Sequence, residues 1–197
     1  MAETKAPIRL FADVAALEAY MSGEPPRSAG FWLKLSKIGA PAATITKEEA
    51  IEAALCCGWI DGQLAKLDEH YFLIRMTPRR PGSRWSAKNR GAADRLAREG
   101  RLNAPGLEQI EQAKADGRWD AAYQSQGKAE APPDLLKALA RNAKAKRSFD
   151  TLDRANRYAI IYRVNDAKRP ETRDRRVAQF VEMLARGETI HPRKATK

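Results

Sequence analysis

Cysteine, histidine and long apolar runs are all scarce in this 197-residue chain, and each scarcity removes a class of function. The only cysteines, Cys56 and Cys57, are adjacent. A disulfide between neighbours is strained, and successive helical residues point about 100° apart, which suits neither a staple nor a chelate. They read as two small half-buried residues ending a helix. With no CxxC pair, and only His70 and His191 beside them, no zinc ligand set exists, so no metal and no cofactor is expected. The longest apolar runs, Ala53–Cys57 and Tyr158–Tyr162, are far too short to span a bilayer. The opening MAETKAPIRLF has no apolar h-region, which predicts no export signal, no membrane insertion and a cytoplasmic protein. Also missing are a GxSxG elbow, a GxGxxG turn after a strand and a GxxxxGK[ST] loop, so no recognised catalytic motif is present.

The chain is rich in positive charge, +11 net, unevenly placed. Residues 1–60 hold 6 basic and 7 acidic side chains, residues 61–130 hold 13 and 10, and residues 131–197 hold 17 and 8. The field therefore belongs mainly to the C-terminal third and favours anionic partners, nucleic acid among them. A hydrophobic content of 43% supports a real core.

Periodicity predicts an α+β, helix-rich fold with a small antiparallel sheet in the N-terminal half and a helical C-terminal third. Asp13 caps a first helix ending near Gly23, followed by a loop at Glu24–Ser28 and a strand from Phe31 to Leu35. Thr46 and Glu49 form a capping box for a helix closed by Gly58. After a turn at Asp61-Gly62, runs at Gln63–Leu67 and Tyr71–Met76 make a hairpin. Helices follow at Ser86–Glu99 and from Asn103 to Asp116-Gly117, then at Pro133–Lys146, Asp153–Ala167 and Pro170–Arg186. The expected organisation is an α+β domain over 1–123, a linker at 124–131, a basic helical module over 132–190 and a disordered tail at 191–197.

The segment Gly58–Ser86 is densest in chemistry. No acidic residue lies between Tyr71 and Ala93, yet Arg75, Arg79, Arg80, Arg84, Lys88 and Arg90 do. Pro78 and Pro81 bracket Arg79-Arg80 and stiffen two guanidinium forks beside a helix start. This is the pattern of an anion cradle for phosphate or carboxylate. Equally, the arginines could pair with Asp61, Asp68 or Asp116 and merely pin a loop. Trp59, Trp85, Trp119 and Tyr123 could stack a planar ligand or pack the core. Asp61 and Asp116 form an acid–base pair only if the fold brings them together. His70 beside Glu69 reads as a solvated turn histidine. The basic cluster at 137–147 and the run Lys168–Arg176 read as solvated helix faces or as a nucleic-acid surface.

The pieces ALCCGWIDGQ (54–63), RMTPRRPGSRWSAKN (75–89), AREGRL (97–102), AKADGRWDAAY (113–123), PPDLLKAL (132–139) and AKRPETRDRRVAQFVEMLARG (167–187) carry a resemblance. In order and spacing they resemble the YdeI/OmpD-associated, or bacteriocin-protection, family over nearly the whole chain from about residue 10 to 190. The resemblance implies a helical C-terminal module and a link to an outer-membrane porin and to tolerance of cationic peptides. The expected lack of export argues against a porin partner. The family-like polar positions, taken as ligand-binding candidates, are Asp61, Gln63, Arg75, Thr77, Arg79, Arg80, Ser83, Trp85, Ser86, Asn89, Asp116, Trp119 and Tyr123. The function expected first is a non-enzymatic cytoplasmic binder of a small anionic ligand, linked to stress or antimicrobial-peptide tolerance. Its rivals are a nucleic-acid-binding protein using the basic C-terminal helices and an enzyme with a carboxylate base.

Overall fold

A computed structural model describes residues 6–124, 127 and 129–192. The chain divides into two compact units, 1–122 and 123–197. Parts of the expected linker (125, 126 and 128), the tail from 193 onward and the first five residues of the N-terminal reading lie outside the described residues.

The first unit is a four-stranded sheet with helices. β1 (Ile8–Arg9) precedes α1 (Val14–Gly23), β2 (Phe31–Ser36), α2 (Lys47–Cys56), β3 (Trp59–Lys66), β4 (Tyr71–Pro78), α3 (Ala87–Arg98) and α4 (Ala104–Ala115). The strand order is β1-β2-β4-β3. β4 pairs antiparallel with β2 and with β3, while the two-residue β1 pairs parallel with β2. That edge strand has too few residues to show a period, and the sequence reading passes over it.

Alternation in β2 buries Phe31, Leu33 and Leu35 on one face. Those residues, with Ile74 and Met76 of β4 and Trp59 of β3, form one core with Leu17 and Met21 of α1 and Ala50, Ala53 and Ala54 of α2. The caps are as expected: the Asp13 side chain accepts from Ala16 N, and the Thr46–Glu49 capping box is reciprocal. The other side of α2 supplies Ile51, Leu55 and Cys56 to a second core with Leu96 of α3, Ile110 of α4, Trp85 and Trp119. Glu52 binds Arg95 and Arg101, linking α2 to α3 and the turn after it.

Asp61-Gly62 is not a turn. It lies inside β3, where the register against β4 slips between Asp61 and Leu64. The extra backbone is absorbed as a bulge, so the strand runs on to Lys66.

The second unit consists of α5 (Pro133–Ala140), α6 (Ala143–Asp150), α7 (Arg154–Asn165) and α8 (Pro170–Ala185). Leu135, Leu139, Phe149, Ile160, Ile161, Val164, Phe180 and Leu184 make its core. The single helix expected at Pro133–Lys146 is two. Asn142 interrupts it, its side chain accepting from Ala145 N at 3.0 Å and starting α6 afresh. The side-chain carbonyl of an Asn competes with the helical ladder in this way wherever it sits near a potential start. Arg173 of α8 grips Asp134 of α5 through Nε at 2.5 Å and Nη2 at 3.0 Å. Among the described residues no helix is long and apolar enough to cross a membrane, and no group of three or more His, Cys, Asp or Glu could hold a metal ion.

Candidate functional site

A recess of about 360 Å3 opens in the first unit, lined by Pro26, Arg27, Ser28, Pro78, Arg79, Arg80 and Pro81. Three arginines and three prolines thus share one concavity, and none of these seven residues is acidic. Two loops and the end of β4 build it: residues 24–30 before β2, Pro78 closing β4, and residues 79–86 between β4 and α3.

The second loop is held from within. Ser83 N donates to Arg80 O at 2.9 Å, closing a turn with Pro81 and Gly82 in the middle. Gly82 has φ +81, the left-handed value that glycine takes without strain at the third position of such a turn. The Ser83 hydroxyl accepts the Arg80 N–H at 2.9 Å. Ser86 caps α3, accepting from Asn89 N at 3.1 Å. The Ser86 hydroxyl and the Asn89 backbone N–H therefore already serve the helix end.

Arg79 is 5% exposed, and its Cζ lies 3.7 Å from the centroid of the Trp85 ring. Its Nη1 donates to Arg84 O at 3.2 Å. Trp85 in turn meets Trp119 at 4.7 Å in an edge-on contact. Arg90 Nη1 donates to Trp119 O at 3.1 Å. Trp85 is thus a core residue whose face is covered by Arg79, the packing alternative of its two sequence readings. A guanidinium stacked on indole keeps its plane, so the edge of Arg79 that reaches the recess is fixed in direction.

A further tether comes from the end of α4. Arg118 Nε donates to both Asp116 oxygens, at 2.8 and 2.7 Å, and its Nη1 donates to Ser83 O at 2.7 Å. Asp116 orients Arg118, and Arg118 holds the arginine loop. Asp116 is thus paired with a guanidinium, while Asp61 lies on β3 opposite Met76.

The first loop is pressed onto β4. Arg75 Nη2 donates to Ala29 O, and burial pushes the Arg75 guanidinium below its ordinary value. Gly30 has φ +77, and a Cβ there would meet Met76 O at 2.1 Å and Thr77 Cγ2 at 2.9 Å. Only glycine fits so close an approach. Arg75 and Thr77 therefore position Arg27 and Ser28 instead of lining the recess. Ser28 Oγ donates to Glu24 Oε2 at 2.5 Å and accepts from Gly30 N at 3.0 Å. The Ser28 and Tyr20 hydroxyls on Glu24 hold its carboxyl below the usual range.

Of the thirteen candidates, Arg79 and Arg80 line the recess. Arg75, Thr77, Ser83, Ser86, Asn89, Asp116, Trp85 and Trp119 frame its loops, while Asp61 and Gln63 lie in the irregular part of β3. Tyr123 belongs to the second unit, where its ring meets Tyr162 at 5.5 Å. Asp68, a possible partner for the arginines, instead accepts from His70 N and Tyr71 N at 2.8 and 2.7 Å. His70 pairs with Glu69 at 3.2 Å. Sequence reading missed Pro26, Arg27, Ser28 and Arg118. The signal for Arg27 was its place after Pro25-Pro26, the same proline-braced cation seen at Pro78–Pro81.

Residues 9–109 match a family described as Domain of unknown function (DUF8412), and residues 128–187 match one described as Bacteriocin-protection, YdeI or OmpD-Associated. Of the six motifs, those at 54–63, 75–89 and 97–102 fall in the first match, those at 132–139 and 167–187 in the second, and that at 113–123 in neither. No curated protein and no solved structure matches the chain.

Proposed function

For a chain that belongs to the DUF8412 family through residues 9–109 and to the bacteriocin-protection, YdeI or OmpD-associated family through its C-terminal module, we propose a role in binding a small anion. The protein acts by binding in the recess of its first unit, in the cytoplasm, and contributes to stress or bacteriocin tolerance. The observation that carries this reading is the convergence of Arg27, Arg79 and Arg80 on one proline-walled concavity with no acidic lining residue.

The physical case rests on preorganisation. The Arg79 side chain is already held against Trp85, and the Arg80 backbone is fixed in a turn with Pro81, so these two lose little freedom on binding. Guanidinium forks match the paired oxygens of phosphate and carboxylate. Arg27 and Arg80 are exposed, so they can move onto an entering anion without first breaking a buried contact.

Calorimetric titration with inorganic phosphate and with small di- and tricarboxylates tests the reading on wild type, Arg27→Ala and Arg80→Ala. Each charge-assisted hydrogen bond is worth about 1.5–3 kcal/mol, so each variant should weaken binding roughly tenfold or more. Identical isotherms from all three proteins, or no heat from any anion, would refute it. A fractionation experiment placing the chain outside the cytoplasm would remove the cellular part alone.

A further inference from the structure

We propose that the α5–α6 pair of the second unit is a docking surface for duplex DNA, read through its phosphate backbone. From Leu135 to Phe149 the sequence has no acidic residue and five cations. The flanking carboxylates are occupied: Asp134 by Arg173, Asp150 by Lys146 at 2.7 Å, and Asp153 by the Asn156 N–H at 2.8 Å. Four cations, Lys137, Arg141, Lys144 and Arg147, are exposed and have no carboxylate partner among the described residues.

Their spacing is fixed by the fold. Arg141 is the C-cap of α5 and Asn142 the N-cap of α6, so the two helices meet without an intervening loop. Lys137 on α5 lies one helical turn before Arg141 at its C-cap, and Lys144 and Arg147 lie one turn apart on α6. Arg157 of α7 lies beside the end of α6, its Cζ 4.6 Å from the Phe149 ring. Asp174 shares a shallow concavity of about 310 Å3 with Lys137 and Arg141, and it is the one acidic side chain there not held by Arg173.

The choice of duplex follows from what the stripe lacks. Binding to unpaired bases relies on exposed aromatic faces. The only aromatic residue between Leu135 and Phe149 is Phe149 itself, 1% exposed, and all four tryptophans of the chain belong to the first unit. Rigid, helix-borne cations without stacking platforms fit a regular row of phosphates.

Four neutralised phosphates give a slope of about −3.6 in log K against log salt, a loss of about a hundredfold between about 50 and 200 mM. The test is fluorescence anisotropy of a labelled 20-base-pair duplex with the full chain across that salt range. The Lys137→Gln/Arg141→Gln/Lys144→Gln/Arg147→Gln variant should lose most of the slope. Lys144→Gln alone should reduce it by about one, and Asp174→Asn should tighten binding. Arg186→Gln, which removes a cation paired with Glu182 and Glu188, should leave the slope unchanged. Circular dichroism checks that the quadruple variant is folded. Absence of binding at the lowest salt, an unchanged slope in the folded quadruple variant, or tighter binding to single strands or to duplex RNA would each overturn the proposal. Phosphate binding in the first-unit recess stands or falls separately, because none of these variants touches it.

Discussion

Replacing Arg79 separates its two duties, since the same side chain holds a loop and lines a cavity. Arg79→Ala removes a desolvated cation–π contact, worth about 2 kcal/mol, and a charge-assisted hydrogen bond to Arg84 O, worth about 1.5–3 kcal/mol. These terms share one side chain and do not add fully, so the expected loss is about 3 kcal/mol. Arg79→Lys keeps the charge but not the planar stack, and should lose about half as much. All four tryptophans, Trp32, Trp59, Trp85 and Trp119, lie in the first unit, so their emission reports its unfolding alone. With a urea slope of about 1.5–2 kcal/mol/M for a unit of this size, the Arg79→Ala midpoint should fall by about 1.5–2 M. Arg80→Ala, at an exposed position, should shift the midpoint by less than about 0.3 M while still weakening anion binding. An Arg79→Ala midpoint equal to wild type would refute the stacking account. Equal destabilisation by Arg80→Ala would show that the loop depends on both arginines and not on the Trp85 contact.

The remaining predictions concern other parts of the molecule. Gly30→Ala forces a side chain into a left-handed backbone and onto Met76 O, costing about 1–3 kcal/mol for the backbone alone, and should abolish anion binding by displacing Arg27; calorimetry and urea melts read both effects. Burial pushes Cys56 up to about 11 and raises Cys57, so at pH 8 only about one Cys56 thiol in a thousand is ionised, and a disulfide reagent should react with both only after urea unfolds the first unit. The Arg173 hydrogen bonds hold the Asp134 carboxyl below its ordinary value, so its stabilising effect is complete at neutral pH and is lost as pH falls through that lowered value. Asp134→Asn should therefore destabilise the second unit by about 1 kcal/mol at pH 7, allowing for its partial exposure, and the two proteins should converge in acid when followed by tyrosine circular dichroism.

Most helices were legible because their ends are marked by side chains that satisfy free backbone groups: Asp13, Thr46 with Glu49, and Ser86. The break at Asn142 was written in the same code but sat inside an apolar period that continued across it, and periodicity overrode the cap. The bulge at Asp61 misled for a related reason, since Asp-Gly favours a turn only when no neighbouring strand recruits the backbone on both sides. At the candidate site, the proline-braced Arg79-Arg80 pair could be read from order along the chain. Arg27 carried a similar proline-braced signal, but its meeting with that pair was not legible, because it depends on Gly30 and Arg75 folding a distant loop onto β4. Asp116 and Trp85 carried polar and aromatic signals of the right kind, yet Asp116 serves to orient Arg118 and Trp85 to seat Arg79.

The most direct measurement is a proton–nitrogen spectrum of the arginine Nε–H groups during titration with inorganic phosphate. Saturable shifts confined to Arg27, Arg79 and Arg80 are predicted, with Arg95 and Arg101 unmoved. A spectrum in which those three signals stay still, or in which shifts spread over the exposed arginines without saturating, would contradict the account.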